Sequence, residues 1–149
     1  RIHPERNVLE GMFLNSIGNV YSEQGRLEDA LTWYQKAHRI FRKTLGPESM
    51  EVGRILSSIG TSLERQGKAE EAMEKYEEGL AIERWALGDE HPKVARTLAN
   101  MAMCKGRSGD TEGAVAGLSE AQSIFRKRGV SHGTAAQVDA FLERLGVEV

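Results

Sequence analysis

The chain has 149 residues, of which 40% are hydrophobic and 28% charged, enough apolar material for one core and too balanced a charge for a disordered tail. A formal net charge of −2 leaves no basic footprint for nucleic-acid phosphates or anionic lipid. No apolar run approaches the length that crosses a bilayer and no charged-then-apolar leader is present, so a soluble chain is expected. The first residue is Arg1 rather than methionine, which suggests a piece of a longer protein, and Arg1 to Glu5, with its His3-Pro4 pair, reads as the remnant of a preceding linker.

Shifted by 42 residues, "LNSIGNVYSEQGRLEDALTWYQKAHRIFRKTLG" falls on "LSSIGTSLERQGKAEEAMEKYEEGLAIERWALG" and then on "LANMAMCKGRSGDTEGAVAGLSEAQSIFRKRG". Leu14, Leu56 and Leu98 hold the register, as do Gly25, Gly67 and Gly109, Ala30, Ala72 and Ala114, and Ile40, Ile82 and Ile124. One residue is deleted near the end of the third copy, so Gly129 comes one place early relative to Gly46 and Gly88. At the other end, the His3-Pro4 pair stands four residues too far ahead of the first copy to match the His91-Pro92 pair. The copies span about 10–47, 52–89 and 94–129, within a single domain over 1–149.

In the first copy, Leu14, Ile17 and Tyr21, then Leu27, Leu31, Tyr34 and Ile40, recur three and four apart on either side of Gly25, which predicts two helices. The central glycine of each copy stands where the first helix must stop and a positive φ is wanted. Acidic residues then open the second helix (Glu28 and Asp29, Glu70 and Glu71, Glu112) and basic ones close it (Arg42 and Lys43, Arg84, Arg126 to Arg128), as the helix dipole favours. Pro92 stands at the start of the third first-helix, where its missing N–H costs nothing. Gly18, Gly60 and Ala102 on the first helices, and Ala37, Gly79 and Ala121 on the second, predict close helix packing. The third copy is degenerate. Lys105 replaces Tyr21 and Leu63, Leu118 replaces Tyr34 and Tyr76, and Gly113 and Gly117 sit inside a helix at about 1 kcal/mol each. An amphipathic capping helix is predicted over about 133–145, with Ala135, Val138, Phe141, Leu142 and Leu145 on one face.

The landmarks Leu14, Gly18, Tyr21, Ala30, Tyr34 and Ala37 resemble the tetratricopeptide repeat. The stretch "AIERWALGDEHPKVARTL", with its LG-x-x-H-P linker, lengthens the unit beyond the ordinary repeat and resembles the kinesin light chain subtype; "KTLGPESMEVGRIL" is a looser copy. The resemblance implies an all-α fold, a right-handed α-solenoid of antiparallel helix pairs, whose first helices line a concave groove for a peptide or helix. By position, the groove-facing candidates are Met12, Asn15, Asn19 and Glu23 in the first copy. Arg54, Ser57, Thr61, Glu64 and Arg65 follow in the second copy, and Arg96, Ala99, Met103 and Arg107 in the third. On this reading Arg54, Arg65, Arg96 and Arg107 receive acidic side chains of a partner, while Asn15 and Asn19 bond its backbone. The alternative is that these arginines pair within their own helices or point into water. The light-chain resemblance implies cargo-adaptor peptides, acidic around a tryptophan. The carboxylate clamp of some relatives is absent: Asn19 matches it, but Asn15, Ser58, Arg96 and Asn100 do not carry its residue types.

His3, His38, His91 and His132 show no ligand spacing, so no metal is expected. Cys104, the only cysteine, rules out an internal disulfide, lies in a predicted helix as filler, and suits a reducing, cytoplasmic setting. The glycines form neither a phosphate loop nor a dinucleotide fingerprint, and Glu70, Glu71, Glu77 and Glu78 read as a solvated face; neither a cofactor nor an enzyme is indicated. Trp33 points outward by helical phase and either marks a protein interface or lies flat over neighbouring stems. Trp85 is expected to pack on the following linker. These features suggest a peptide-binding adaptor. The alternatives are a structural solenoid segment that self-associates or stacks, with the Trp33 face involved, and a regulatory domain of a larger enzyme; a homo-oligomer is possible but not indicated.

Overall fold

The chain turns wherever the period places its central glycine: Gly25, Gly67 and Gly109 have φ of 77°, 81° and 96°. Around Gly67 the reason is visible in the hydrogen bonds, since Lys68 N–H reaches back to the Leu63 carbonyl (2.9 Å) and Gly67 N–H to that of Glu64 (2.8 Å). That closure requires a left-handed residue at the glycine, where a Cβ costs about 1–2 kcal/mol. Gly67→Ala is therefore expected to lower the urea unfolding free energy by about that amount, although no atom lies within 4 Å of the added methyl.

In the computed structural model, which describes residues 4–148, the described residues form seven helices and contain no strand. They are α1 (Pro4–Glu23), α2 (Leu27–Leu45), α3 (Met50–Arg65), α4 (Ala69–Leu87), α5 (Pro92–Arg107), α6 (Thr111–Lys127) and α7 (Thr134–Arg144). Among the described residues no helix is long and apolar enough to cross a membrane. The first-helix starts at Met50 and Pro92 keep the 42-residue period, whereas α1 opens at Pro4 and is 20 residues long against 16 for α3 and α5. The four surplus residues are one added helical turn, which accounts for the early placement of the His3-Pro4 pair. The linker expected over Arg1 to Glu5 is thus already helical at Pro4 and Glu5; Arg1 to His3 lie outside the described residues. Side-chain caps hold the starts of α3, α5 and α6. Ser49 Oγ accepts from Val52 N–H (3.3 Å), His91 Nδ1 from Lys93 N–H (3.1 Å) and Asp110 Oδ1 from Gly113 N–H (2.9 Å).

The helices gather into two compact units that divide α4, one running through Ile82 and the other starting at Glu83. In the first unit α2 packs on both α1 and α3. Glycine makes the closest approaches possible: a Cβ on Gly18 would stand 2.6 Å from the Tyr34 ring, and one on Gly60 2.7 Å from the Tyr76 ring. Gly11 meets Phe41 and Gly53 meets Ile82 in the same way. The core of this unit is Ala30, Tyr34, Ala37 and Phe41 of α2, Ile55, Leu56 and Leu63 of α3, and Ala72, Tyr76 and Leu80 of α4.

In the second unit the size relation changes. Ala102 stands where the earlier copies have glycine, Leu118 where they have tyrosine, and both are buried. The Ala102 methyl lies 2.8 Å from where a Cβ on Gly117 would be, so this glycine, a cost to helix propensity, makes room for the alanine. The closing helix α7 buries Ala135, Val138 and Leu142 and packs on α5 and α6, with the half-buried Phe141 against Gly106. Trp85 departs from expectation. It is 80% exposed rather than packed on the linker, because its place in the repeat is that of Lys43 and Lys127, both on the solvent side.

Candidate peptide-binding site

The candidate residues of the first unit sit on α1 and α3, anchored from beneath by a hydrogen bond that repeats with the sequence. Tyr34 Oη donates to Asn19 Oδ1 (2.7 Å), and one period later Tyr76 Oη pairs with Thr61 Oγ1 (3.2 Å). Each tyrosine ring fills the space above a first-helix glycine while its hydroxyl surfaces beside an exposed polar residue. Burial pushes the Tyr34 phenol up, against the opposing influence of Ser22 and the Arg65 guanidinium, so it stays a neutral donor. Arg65 donates through Nη1 to both the carbonyl (3.1 Å) and the Oγ (3.0 Å) of Ser22, tying the end of α3 to the end of α1. Arg54 is exposed one helical stretch earlier on α3. Asn15 is half-buried, and its Oδ1 is buried with no partner among the described residues, a polar atom left wanting a donor. In this unit Asn15 and Asn19 lie on α1 and Arg54, Thr61 and Arg65 on α3, and Arg65 reaches across to α1 at Ser22.

The second unit presents less of the expected pattern. Arg96 and Arg107 are exposed on α5, but Met103 is only 8% exposed and Ala99 is fully buried. Met103 and Leu118 occupy the places of the Asn19–Tyr34 and Thr61–Tyr76 pairs, and an apolar pair has no hydroxyl to bring to the surface, so Met103 turns into the core. Trp33 is half-buried, and its ring stacks on that of Tyr21 (6.4 Å between centroids, 15° between planes) with the Lys36 ammonium 4.5 Å above it.

Four residues escape a reading of the sequence alone. Ser22 gives no signal, being one serine among many. The tyrosines look like core landmarks only, although their spacing of 15 residues from Asn19 and Thr61 repeats in both copies. Glu83 hides among other acids. It takes the place of Phe41 and Phe125, is 5% exposed, and accepts a hydrogen bond from Thr97 Oγ1 at 2.7 Å. Burial pushes its carboxyl up, and the Thr97 bond with the nearby Arg96 and Lys93 charges only partly offsets this. Among the described residues no group of three or more His, Cys, Asp or Glu could hold a metal ion.

A sequence profile of the tetratricopeptide repeat matches residues 10–84, half of the chain. The chain belongs to the tetratricopeptide repeat family. No curated protein sequence matches it, and its likeness to solved structures extends the family's fold over nearly the whole length. Over 97% of this chain and 57% of the other, the tetratricopeptide domain is similar to BtubC (BKLC) from P. vanneervenii, with 20% identity and a TM-score of 0.84. It is also similar to the nearly identical TPR-like repeats of a Podosopora anserina protein named for the kinesin light chain, with 23% identity and a TM-score of 0.80 over 97% of this chain and 67% of the other. A third likeness is to PcrH, solved in complex with the chaperone binding region of PopD, at 21% identity and a TM-score of 0.69 over 91% and 90% of the two chains. The fold is thus an all-α tetratricopeptide solenoid with kinesin light chain-like repeats, and the chain spans little more than half the length of the first of these relatives. It is the fold of a protein-interaction scaffold.

Proposed function

We propose that this domain is an adaptor that binds acidic peptides along the exposed polar strips of its first helices. The observation that carries the reading is the repeated tyrosine bond, which fixes Asn19 and Thr61 at the surface on the two helices that carry Arg65 and Arg54. Among the described residues Arg65 bonds the neutral oxygens of Ser22, so its charge remains available to a partner carboxylate. Asn15, with its unpartnered Oδ1, can take a peptide N–H after a side-chain rotation. In the second unit Arg96 is likewise exposed on its own first helix, α5. Met103, being buried, contributes support rather than contact. The resemblance of the repeats to the kinesin light chain subtype implies cargo-type peptides that are acidic around a tryptophan, and PcrH, solved with the chaperone binding region of PopD, is a precedent for partner capture by this fold. A buried lone Cys104 suits the reducing cytoplasm.

Fluorescence anisotropy of a labelled acidic, tryptophan-containing peptide, titrated at low and high salt, tests the reading. Saturation that weakens with salt is expected. Arg54→Glu should raise Kd by about tenfold or more, equivalent to about 1.4 kcal/mol, while Arg39→Glu on the second helix should leave it unchanged. Absence of binding at either salt, or equal loss from both variants, would remove the acidic-peptide mechanism.

A further inference from the structure

The third copy lacks a piece that the first copy has. In the first copy the Trp33 ring stacks on that of Tyr21, 6.4 Å between centroids, with the Lys36 ammonium 4.5 Å from it. Two periods later these three places hold Gly117, Lys105 and Glu120. What remains between α5 and α6 is a notch of about 250 Å³, whose walls include Leu98, Met101, Ala102, Lys105, Gly117 and Glu120. An apolar cavity of about 150 Å³ accepts a benzene ring, so this notch has room for an aromatic side chain. The chain cannot fill it from position 117, since a Cβ there would stand 2.8 Å from the Ala102 methyl. Lys105 is half-buried, and its ammonium has no ion-pair partner among the described residues. The converse holds at the end of α4. Trp85, where the other copies carry Lys43 and Lys127, is 80% exposed.

We propose that Trp85 of one copy of the chain enters the notch of a second copy, and reciprocally, in a weak two-fold dimer. Indole and notch lie near each other on the surface: Arg84, next in sequence to Trp85, pairs through Nη2 with Glu120 Oε1 at the notch (3.4 Å). Two copies turned about a two-fold axis can therefore exchange them, the same patch giving and receiving on both copies. The charges match as well. Asp89, four residues after Trp85, keeps its side chain 82% exposed while pairing with Arg84 at 3.4 Å, and it offers the second copy's Lys105 the carboxylate that this ammonium lacks. Two indoles bury about 300–500 Å², well below the roughly 1,600 Å² of a standard stable interface, so the dimer forms reversibly and only at high concentration.

Sedimentation velocity over a concentration series tests the exchange. The expected species is a reversible dimer of twice 16.5 kDa. Trp85→Ala should give only monomer while keeping its circular dichroism, because Trp85 is exposed within its own chain. Lys105→Glu and Asp89→Lys should each weaken the dimer by about tenfold, and the double reversal should restore it. In a second arm, two single variants are mixed, Trp85→Cys and, in the notch, Ala116→Cys. The mixture should form a disulfide between chains under mild oxidation, and neither variant alone should. A chain that stays monomeric at every concentration overturns the proposal, as does a Trp85→Ala variant that dimerises like the wild type. A Trp85→Cys variant that cross-links to itself would set the two indoles face to face, outside the notches, and overturns the exchange.

Discussion

Gly60→Ala is expected to lower the unfolding free energy by about 1–3 kcal/mol, a large loss for a single methyl in a helix, where alanine normally gains over glycine. The Cβ would stand 2.7 and 2.9 Å from two carbons of the Tyr76 ring. That ring cannot move aside, because it is 1% exposed and its hydroxyl pairs with Thr61. The third copy shows how the conflict is resolved, with alanine (Ala102) in the glycine place and leucine (Leu118) in the tyrosine place. Tyr76→Leu alone opens a cavity and loses a hydrogen bond, so it too should destabilise. The double variant should be more stable than the sum of the two single losses predicts, with a coupling of about 0.5–3 kcal/mol in urea melts monitored at 222 nm. Strict additivity would show that helix separation is not set by this contact.

Thr97→Val should cost about 1–3 kcal/mol at neutral pH, because it leaves the buried Glu83 carboxylate without its hydroxyl donor. The pH dependence has a definite sign. Burial raises the Glu83 carboxyl in the folded chain, so the folded state holds a proton that the unfolded state releases. Its stabilising contribution is complete below the ordinary glutamate value of about 4.3 and is lost as pH rises through the folded value. Glu83→Gln removes that loss. Its stability advantage over wild type should therefore grow as the solution is taken from about pH 4 to neutrality, and Thr97→Val should cost less in that background. Urea midpoints of the four proteins across this range measure both effects. A Glu83→Gln curve parallel to wild type at all pH values would mean that Glu83 is not proton-coupled to folding.

The Ala102–Leu118 pair and Glu83 are places where the repeat departs from itself, and such departures mark the limit of what the sequence reveals. Glu83 looks like one more surface acid in the run after Glu77 and Glu78 until its place beneath Phe41 and Phe125 is noticed. Of the proposed binding residues, exposure agrees with the periodic reading for Arg54, Arg65, Arg96 and Arg107. It disagrees for Met103, whose neighbour Leu118 offers no hydroxyl to hold a polar side chain outward. For Trp33 the helical phase allows two orientations, and the aromatic surface of Tyr21 draws its ring flat.

The sequence alone determined the helix pairs, their turns and their family, because a 42-residue period, a left-handed glycine per turn and three-and-four spacing are local constraints that survive without knowing any neighbour. Only the tertiary structure decided what each side chain meets: that Tyr34 and Tyr76 reach past glycines to hold Asn19 and Thr61, that Arg65 bonds Ser22 and not an acid, and that Glu83 is buried on Thr97. The physical reason is range. Backbone conformation is dictated within a helical turn, whereas burial and the strength of a charge depend on residues tens of positions away that only folding brings near.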